Sequence, residues 1–153
     1  MRIFQMLTLI GLGTALLASS LQVRAQEDED PRSCYAINQT PVCIAQSNYS
    51  ADVCAALETY AEHFGLPEGF LARLIWQESR FDPQAISPVG AQGIAQFMPG
   101  TARLRALRNP FDPAEALARS AEYLRFLELK FGNLGLAAAG PLSRSGAAMF
   151  TRS

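Results

Sequence analysis

The chain has 153 residues, with 13 basic and 14 acidic side chains, a net charge of −1 and a hydrophobic share of 49%. That length accommodates one ordinary domain with short extensions, and the hydrophobic share excludes a wholly disordered chain. The near-zero charge argues against a nucleic-acid binder, which must neutralise many phosphates.

In chain order, Arg2 precedes an apolar run from Met6 to Ala18 and a small, polar stretch ending in Val23-Arg24-Ala25. A positive start, an apolar centre and an A-x-A-like end predict a secretory signal peptide over 1–25. The run is shorter than the roughly 18 apolar residues a membrane span needs, although an uncleaved anchor is the alternative. Cleavage after Ala25 predicts an exported, periplasmic protein with no stable membrane span. Residues 26–49 then read as an acidic tail, Glu27-Asp28-Glu29-Asp30, followed by a cysteine-containing loop. Export permits disulfides. Cys34, Cys43 and Cys54 match no zinc spacing, and His63, the sole histidine, cannot complete a metal site alone. Two of the three cysteines are expected to bridge the loop ahead of the first helix; which two is open. No cofactor is implied.

From Ser50 onward the pattern is helical, with Gly and Pro at the turns. Ser50 and Asp52 are candidate caps for a helix carrying Val53, Leu57, Tyr60, Ala61 and Phe64, spaced by three and four and stopped by Gly65. Pro67 and Glu68 open a second helix running to about Ser79. Gln84 to Gly93 is a loop. Pro99 starts a short helix expected to carry Arg103, Arg105 and Arg108, which Asn109-Pro110-Phe111 breaks. Asp112-Pro113-Ala114-Glu115 is a capping-box arrangement before a helix expected to bury Leu117, Ala121, Leu124, Leu127 and Phe131, ending at Gly132. Leu134 to Ala139 begins another helix. No period-two alternation is legible after Ala25, so the fold class is mainly α.

One carboxylate stands out. On the second helix Phe70, Leu71, Leu74 and Ile75 form an apolar stripe, and Phe70, Leu74 and Glu78 fall on one line, four residues apart. Glu78 therefore projects from the apolar face, in a last turn whose carbonyls disfavour negative charge. Desolvation and those carbonyls together favour a carboxyl that keeps its proton, as a general acid requires; Arg80 opposes this if it turns inward. The plainer reading is a rim glutamate paired with Arg80 or with an arginine from the Arg103–Arg108 stretch.

The segment Ile75-Trp76-Gln77-Glu78-Ser79-Arg80-Phe81-Asp82-Pro83 leads into Ser87-Pro88-Val89-Gly90-Ala91-Gln92-Gly93-Ile94-Ala95-Gln96-Phe97-Met98-Pro99-Gly100-Thr101-Ala102. With Asn109-Pro110-Phe111-Asp112-Pro113 and Phe131-Gly132-Asn133-Leu134, it closely resembles the catalytic domain of the soluble lytic transglycosylases, in the lysozyme-like (goose-type) superfamily. The likeness runs from about Cys54 to Ala139. It implies a lysozyme-like helical domain over 50–140 whose substrate is the glycan strand of peptidoglycan. In that family the Glu-Ser pair holds the sole catalytic acid, here Glu78. It protonates the oxygen linking N-acetylmuramic acid to N-acetylglucosamine, then takes the C6 hydroxyl proton as a 1,6-anhydro ring closes.

The resemblance also implies that Gly93, Gln96, Met98 and Ser87 bind substrate. Gly93 would allow close approach of sugar, Gln96 would offer an amide, Met98 would line the subsite and Ser87 would sit near the acid. Burial in the core is the alternative for Phe97 and Met98, and turn capping beside Pro88 is the alternative for Ser87. Ala95 stands where the family usually has methionine, which implies an altered subsite shape. The far end departs from the pattern. An Ala-Tyr-Asn-Ala-Gly motif is expected after the last helix, but Leu136-Ala137-Ala138-Ala139 leads to Gly140-Pro141-Leu142-Ser143, the last tyrosine being Tyr123. The domain thus reads as incomplete at its C-terminal end, with 141–153 a disordered or aberrant tail. Without the tyrosine that orients the acid, a catalytically defective peptidoglycan-binding remnant is the alternative function.

Overall fold

The computed structural model describes residues 30–139. The predicted leader, the acids at 27–29 and the tail 141–153 lie outside them. The elements are β1 (Arg32–Ile37), β2 (Thr40–Ala45), α1 (Tyr49–Phe64), α2 (Glu68–Ser79), α3 (Pro99–Leu104), α4 (Pro113–Phe131) and α5 (Leu134–Ala139). The protein is mainly helical. Helices α1, α2 and α4 enclose a core that includes Val53, Tyr60, Leu71, Ile75, Leu117 and Leu124. No helix among the described residues is long and apolar enough to cross a membrane.

The cysteine-containing segment, expected to be a loop, is a β-hairpin. β1 and β2 pair antiparallel with Cys34 opposite Cys43 and Tyr35 opposite Val42. Ser33, Tyr35, Ile37, Val42 and Ile44 face inward while Arg32, Cys34, Ala36 and Cys43 face out. The alternation escapes notice because its outward positions are mostly small or sulfur-bearing, not charged. Asn38 and Gln39 both have positive φ, 47° and 67°, as a two-residue turn matched to strand twist requires. The disulfide joins Cys34 to Cys43, and the thiol of Cys54 is free and exposed.

Local chemistry accounts for most helix ends. α1 starts after Asn48, not at the predicted Ser50–Asp52 cap. Asp52 instead accepts from the Ala45 backbone N–H at 2.9 Å and from Asn48 Nδ2 at 2.8 Å, tying the hairpin to the first turn. Gly65, at φ 64°, ends α1, and the N–H of buried Leu66 returns to the Ala61 carbonyl.

α3 is shorter than expected, so Arg105 and Arg108 lie beyond it. Ala106 takes φ 52°, while Ala106 and Leu107 donate back to Arg103 and Ala102. This is a glycine-type stop made without glycine, with Leu107 buried as its apolar anchor. Asp112 caps α4 by accepting from the Glu115 N–H at 3.0 Å. Glu115 does not close the box. Its side chain is buried and accepts from Arg108 Nε at 3.1 Å. Phe131, expected in the core, is 44% exposed because it lies in the last turn, beyond the packed stretch ending at Leu127.

Between α2 and α3 the chain is irregular but closely bonded. Gln92 and Phe97 exchange two backbone hydrogen bonds, 2.9 and 3.0 Å, around a turn of Gly93, Ile94, Ala95 and Gln96. Ile94 and Phe97 are fully buried, so this turn plugs the core. Gly93 has φ 74°, and a Cβ on it would collide with the Pro110 carbonyl oxygen.

Replacing Cys34 and Cys43 together by alanine should cost about 2–3 kcal/mol, the chain-entropy value for so short a loop, read as a lower urea midpoint. An unchanged midpoint would show that the hairpin holds without its bridge. Gly93→Ala should destabilise by at least about 2 kcal/mol, since it adds both strain and overlap. Gly90→Ala is the control: it has φ 86° but open space around it, and should cost only about 1 kcal/mol.

Candidate active site

The geometry starts from α2. Leu71, Leu74 and Ile75 are buried on its inner stripe and Phe70 packs partly against them. Continuing that face by one turn brings Glu78 to the edge of the core, where it is partly buried. It lines a cavity of about 500 Å³ together with Trp76, Arg80, Ile86, Ser87 and Gln96. Glu78 is the only carboxylate among the described residues lining it. A second cavity of about 480 Å³ lies apart from Glu78, against the hairpin and the start of α4.

The last turn of α2 is fastened on two sides. Ser79 Oγ donates to the Ile94 carbonyl at 2.6 Å, locking the helix end to the core-plugging turn. Arg80 and Phe81 both adopt left-handed backbone, φ 55° and 66°. Each costs on the order of 1 kcal/mol for a residue with a Cβ, so surrounding contacts must hold them. Arg80 N–H returns to the Trp76 carbonyl at 2.9 Å, and the Tyr49 hydroxyl donates to the Phe81 carbonyl at 2.8 Å. Burial, with Asp82 nearby, pushes the Tyr49 pKa up to about 12, so it stays a donor across the whole neutral range. The reversal folds Phe81 under Trp76, with ring centroids 5.4 Å apart and planes tilted by 58°.

The structure brings three of the five predicted site residues, Glu78, Ser87 and Gln96, to this cavity. Ser87 begins the Ser87–Gly90 turn and its Oγ accepts from the Ala91 N–H at 3.0 Å, leaving the hydroxyl proton to donate elsewhere. Gln96 is buried at φ 49°, and its Nε2 donates to the carbonyls of Ala85 at 3.1 Å and Gly93 at 2.9 Å. Its amide hydrogens are thus used to brace the loop. The close approach that Gly93 makes in the fold is to Pro110. Met98 is partly buried and precedes Pro99 as the N-cap of α3; it is not among the residues lining the cavity. Ala95 is buried, so the departure from methionine falls in the core.

Sequence reasoning passed over Ser79, Tyr49 and Trp76. A hydroxyl bonding a distant carbonyl has no signature in sequence spacing. Trp76 did leave a signal: it is the large apolar residue of α2 that falls off the stripe.

Residues 55–141 match the family described as Transglycosylase SLT domain. Among curated relatives, a membrane-bound lytic murein transglycosylase F 1 of Alkalilimnicola ehrlichii is 39% identical over 72 residues, 46% of this chain and 15% of that protein. A membrane-bound lytic murein transglycosylase F of Alcanivorax borkumensis is 41% identical over 64 residues, 42% of this chain and 14% of that protein. One from Photobacterium profundum is 40% identical over 55 residues, 36% of this chain and 11% of that protein. The chain thus spans about a seventh or less of the length of these relatives. The family match covers more than half of the chain and includes the helix, turn and loop that build the Glu78 cavity: this chain belongs to the transglycosylase SLT domain family.

Proposed function

We propose that the protein is an exported peptidoglycan lytic transglycosylase of the bacterial cell envelope, with Glu78 as its acid and then its base. The observation that carries this reading is that, among the described residues lining its cavity, Glu78 is the one carboxylate. A hydrolase of glycosidic bonds ordinarily needs two carboxyl groups, about 5–5.5 Å apart for retention or 6.5–9.5 Å for inversion. Other carboxylates in the matched segment are engaged elsewhere. Asp82 accepts from the Gln84 N–H at 2.8 Å, Asp112 caps α4, and Glu115 is buried against Arg108.

One acid suffices if the nucleophile is within the substrate. Glu78 donates its proton to the bridging oxygen as the bond to the anomeric carbon of N-acetylmuramic acid breaks. The resulting carboxylate takes the proton of the C6 hydroxyl while that oxygen bonds to the anomeric carbon. The products are a new non-reducing end and a 1,6-anhydro ring, and no water is consumed. The placement of Glu78 supports the acid step: it stands in the last turn of α2, partly buried, at the wall of the cavity. Ser87 and Gln96 line the same cavity and are proposed to contact the glycan through a hydroxyl and an amide oxygen. The part proposed for Gly93 is to hold the loop that presents them, and that for Met98 is to fix the start of α3.

Purified sacculi incubated with the protein should release 1,6-anhydromuropeptides, and Glu78→Gln should lower that release by about 100-fold or more. Mass spectrometry of the muropeptides distinguishes the outcomes. Ordinary reducing ends would replace this reading by hydrolysis, and sacculus binding without turnover, unchanged by Glu78→Gln, would replace it by a non-catalytic binding role.

A further inference from the structure

Singly exposed apolar side chains are ordinary on a protein surface, and Leu104 and Leu129 need no account here. Trp76 differs in three respects. It is 53% exposed although it belongs to a helix with an available core face. It lines the cavity that holds Glu78. Its indole is backed by Phe81, which two consecutive left-handed residues and the Tyr49 hydroxyl hold in place.

We infer that Trp76 is a stacking platform for one pyranose ring of the glycan, next to the bond that Glu78 attacks. The inference rests on the reading of the cavity as a glycan site. A pyranose chair carries its hydroxyls around the rim and presents a face of C–H groups that is poorly hydrated. A flat indole with an electron-rich face is complementary to that surface, and with only two side-chain torsions it loses little freedom on binding. Phe81 beneath it reduces that loss further. Arg80, Ser87 and Gln96, in the same cavity, offer the polar contacts that the hydroxyl and acetamido rim needs. An apolar surface edged by a few polar groups is the pattern of a carbohydrate subsite, and this one shares its cavity with Glu78.

Trp76 is the only tryptophan of the chain, so its emission reports this one position. The test uses the full chain carrying Glu78→Gln, to suppress turnover, titrated with a purified N-acetylglucosamine–N-acetylmuramic acid tetrasaccharide. A saturable change in emission is expected, with the same dissociation constant as calorimetry gives. Trp76→Ala in that background should weaken calorimetric binding by about tenfold and Trp76→Phe by about threefold or less. If Trp76→Ala does not fold, the emission change of the unsubstituted indole decides. Calorimetric binding with no emission change, or with affinity unaltered by Trp76→Ala, overturns the platform and leaves the glycan site standing. No binding of the tetrasaccharide by either method overturns both.

Discussion

Glu78 faces a cavity because the last turn of α2 is held on both sides of it. On the inner side, Leu71, Leu74 and Ile75 bury the helix stripe and determine its rotation about its own axis. At the end, Ser79 bonds the Ile94 carbonyl, so the helix cannot unwind without disturbing a fully buried residue. Beyond it, Arg80 and Phe81 take backbone conformations that a free chain would avoid. The conformational cost is offset by the Tyr49 hydroxyl and by packing of Phe81 against Trp76. A carboxyl proposed to deliver and recover one proton needs a fixed position, and this framework provides it.

The loop facing α2 is built by the same logic. The Gly93–Gln96 turn is closed by paired bonds between Gln92 and Phe97, and anchored by buried Ile94 and Phe97. Pro110 lies so close to Gly93 that no side chain fits between them. The segment before α4 therefore sets the height of the turn, although it is far away in the chain. Gln96 spends its amide hydrogens on the carbonyls of Ala85 and Gly93, so its remaining capacity toward a ligand is as an acceptor. Motif residues grouped together in the sequence thus divide into two kinds: Glu78 and Ser87 line the cavity, while Gly93 and Met98 shape the backbone around it.

The hairpin lies outside the residues that match the family, yet it is joined to the start of α4. Ser33 Oγ donates to Asp112 and accepts from the Ala114 N–H at 3.0 Å, so one hydroxyl links β1 to the cap of α4. Arg119 stacks over Tyr35 with its guanidinium 5.5 Å from the ring centroid. Buried Tyr60 donates to the Ala114 carbonyl at 3.1 Å from the α1 side. The first turn of α4, which follows directly from the Asn109–Phe111 bend beside Gly93, is thereby clamped between α1 and the hairpin. The disulfide keeps that clamp closed, in a compartment where the proposed export would keep it oxidised.

Much of this was legible beforehand. The three- and four-residue spacing of Leu71, Leu74 and Ile75 predicted both α2 and the side from which Glu78 emerges, because a helix has one period and one apolar face. Gly65, Gly132 and the Asp112–Pro113 pair marked their helix ends, since those residues meet the φ and hydrogen-bond demands of a terminus locally. The hairpin was not legible: beyond Arg32 and Thr40 its outward positions are held by cysteines, alanine and proline, so burial alternates where polarity scarcely does. The end of α3 at Ala106 and the reversal at Arg80–Phe81 were equally hidden, because left-handed residues with a Cβ are stabilised by distant partners. The sequence by itself determined the helices, the identity of the one candidate acid and the family. Tertiary structure alone decided that Ser79 and Tyr49 brace that acid, that Gly93 serves a backbone contact with Pro110, and that Trp76 stands in the cavity. Each of those depends on a contact between residues far apart in the chain, and no local period records such a contact.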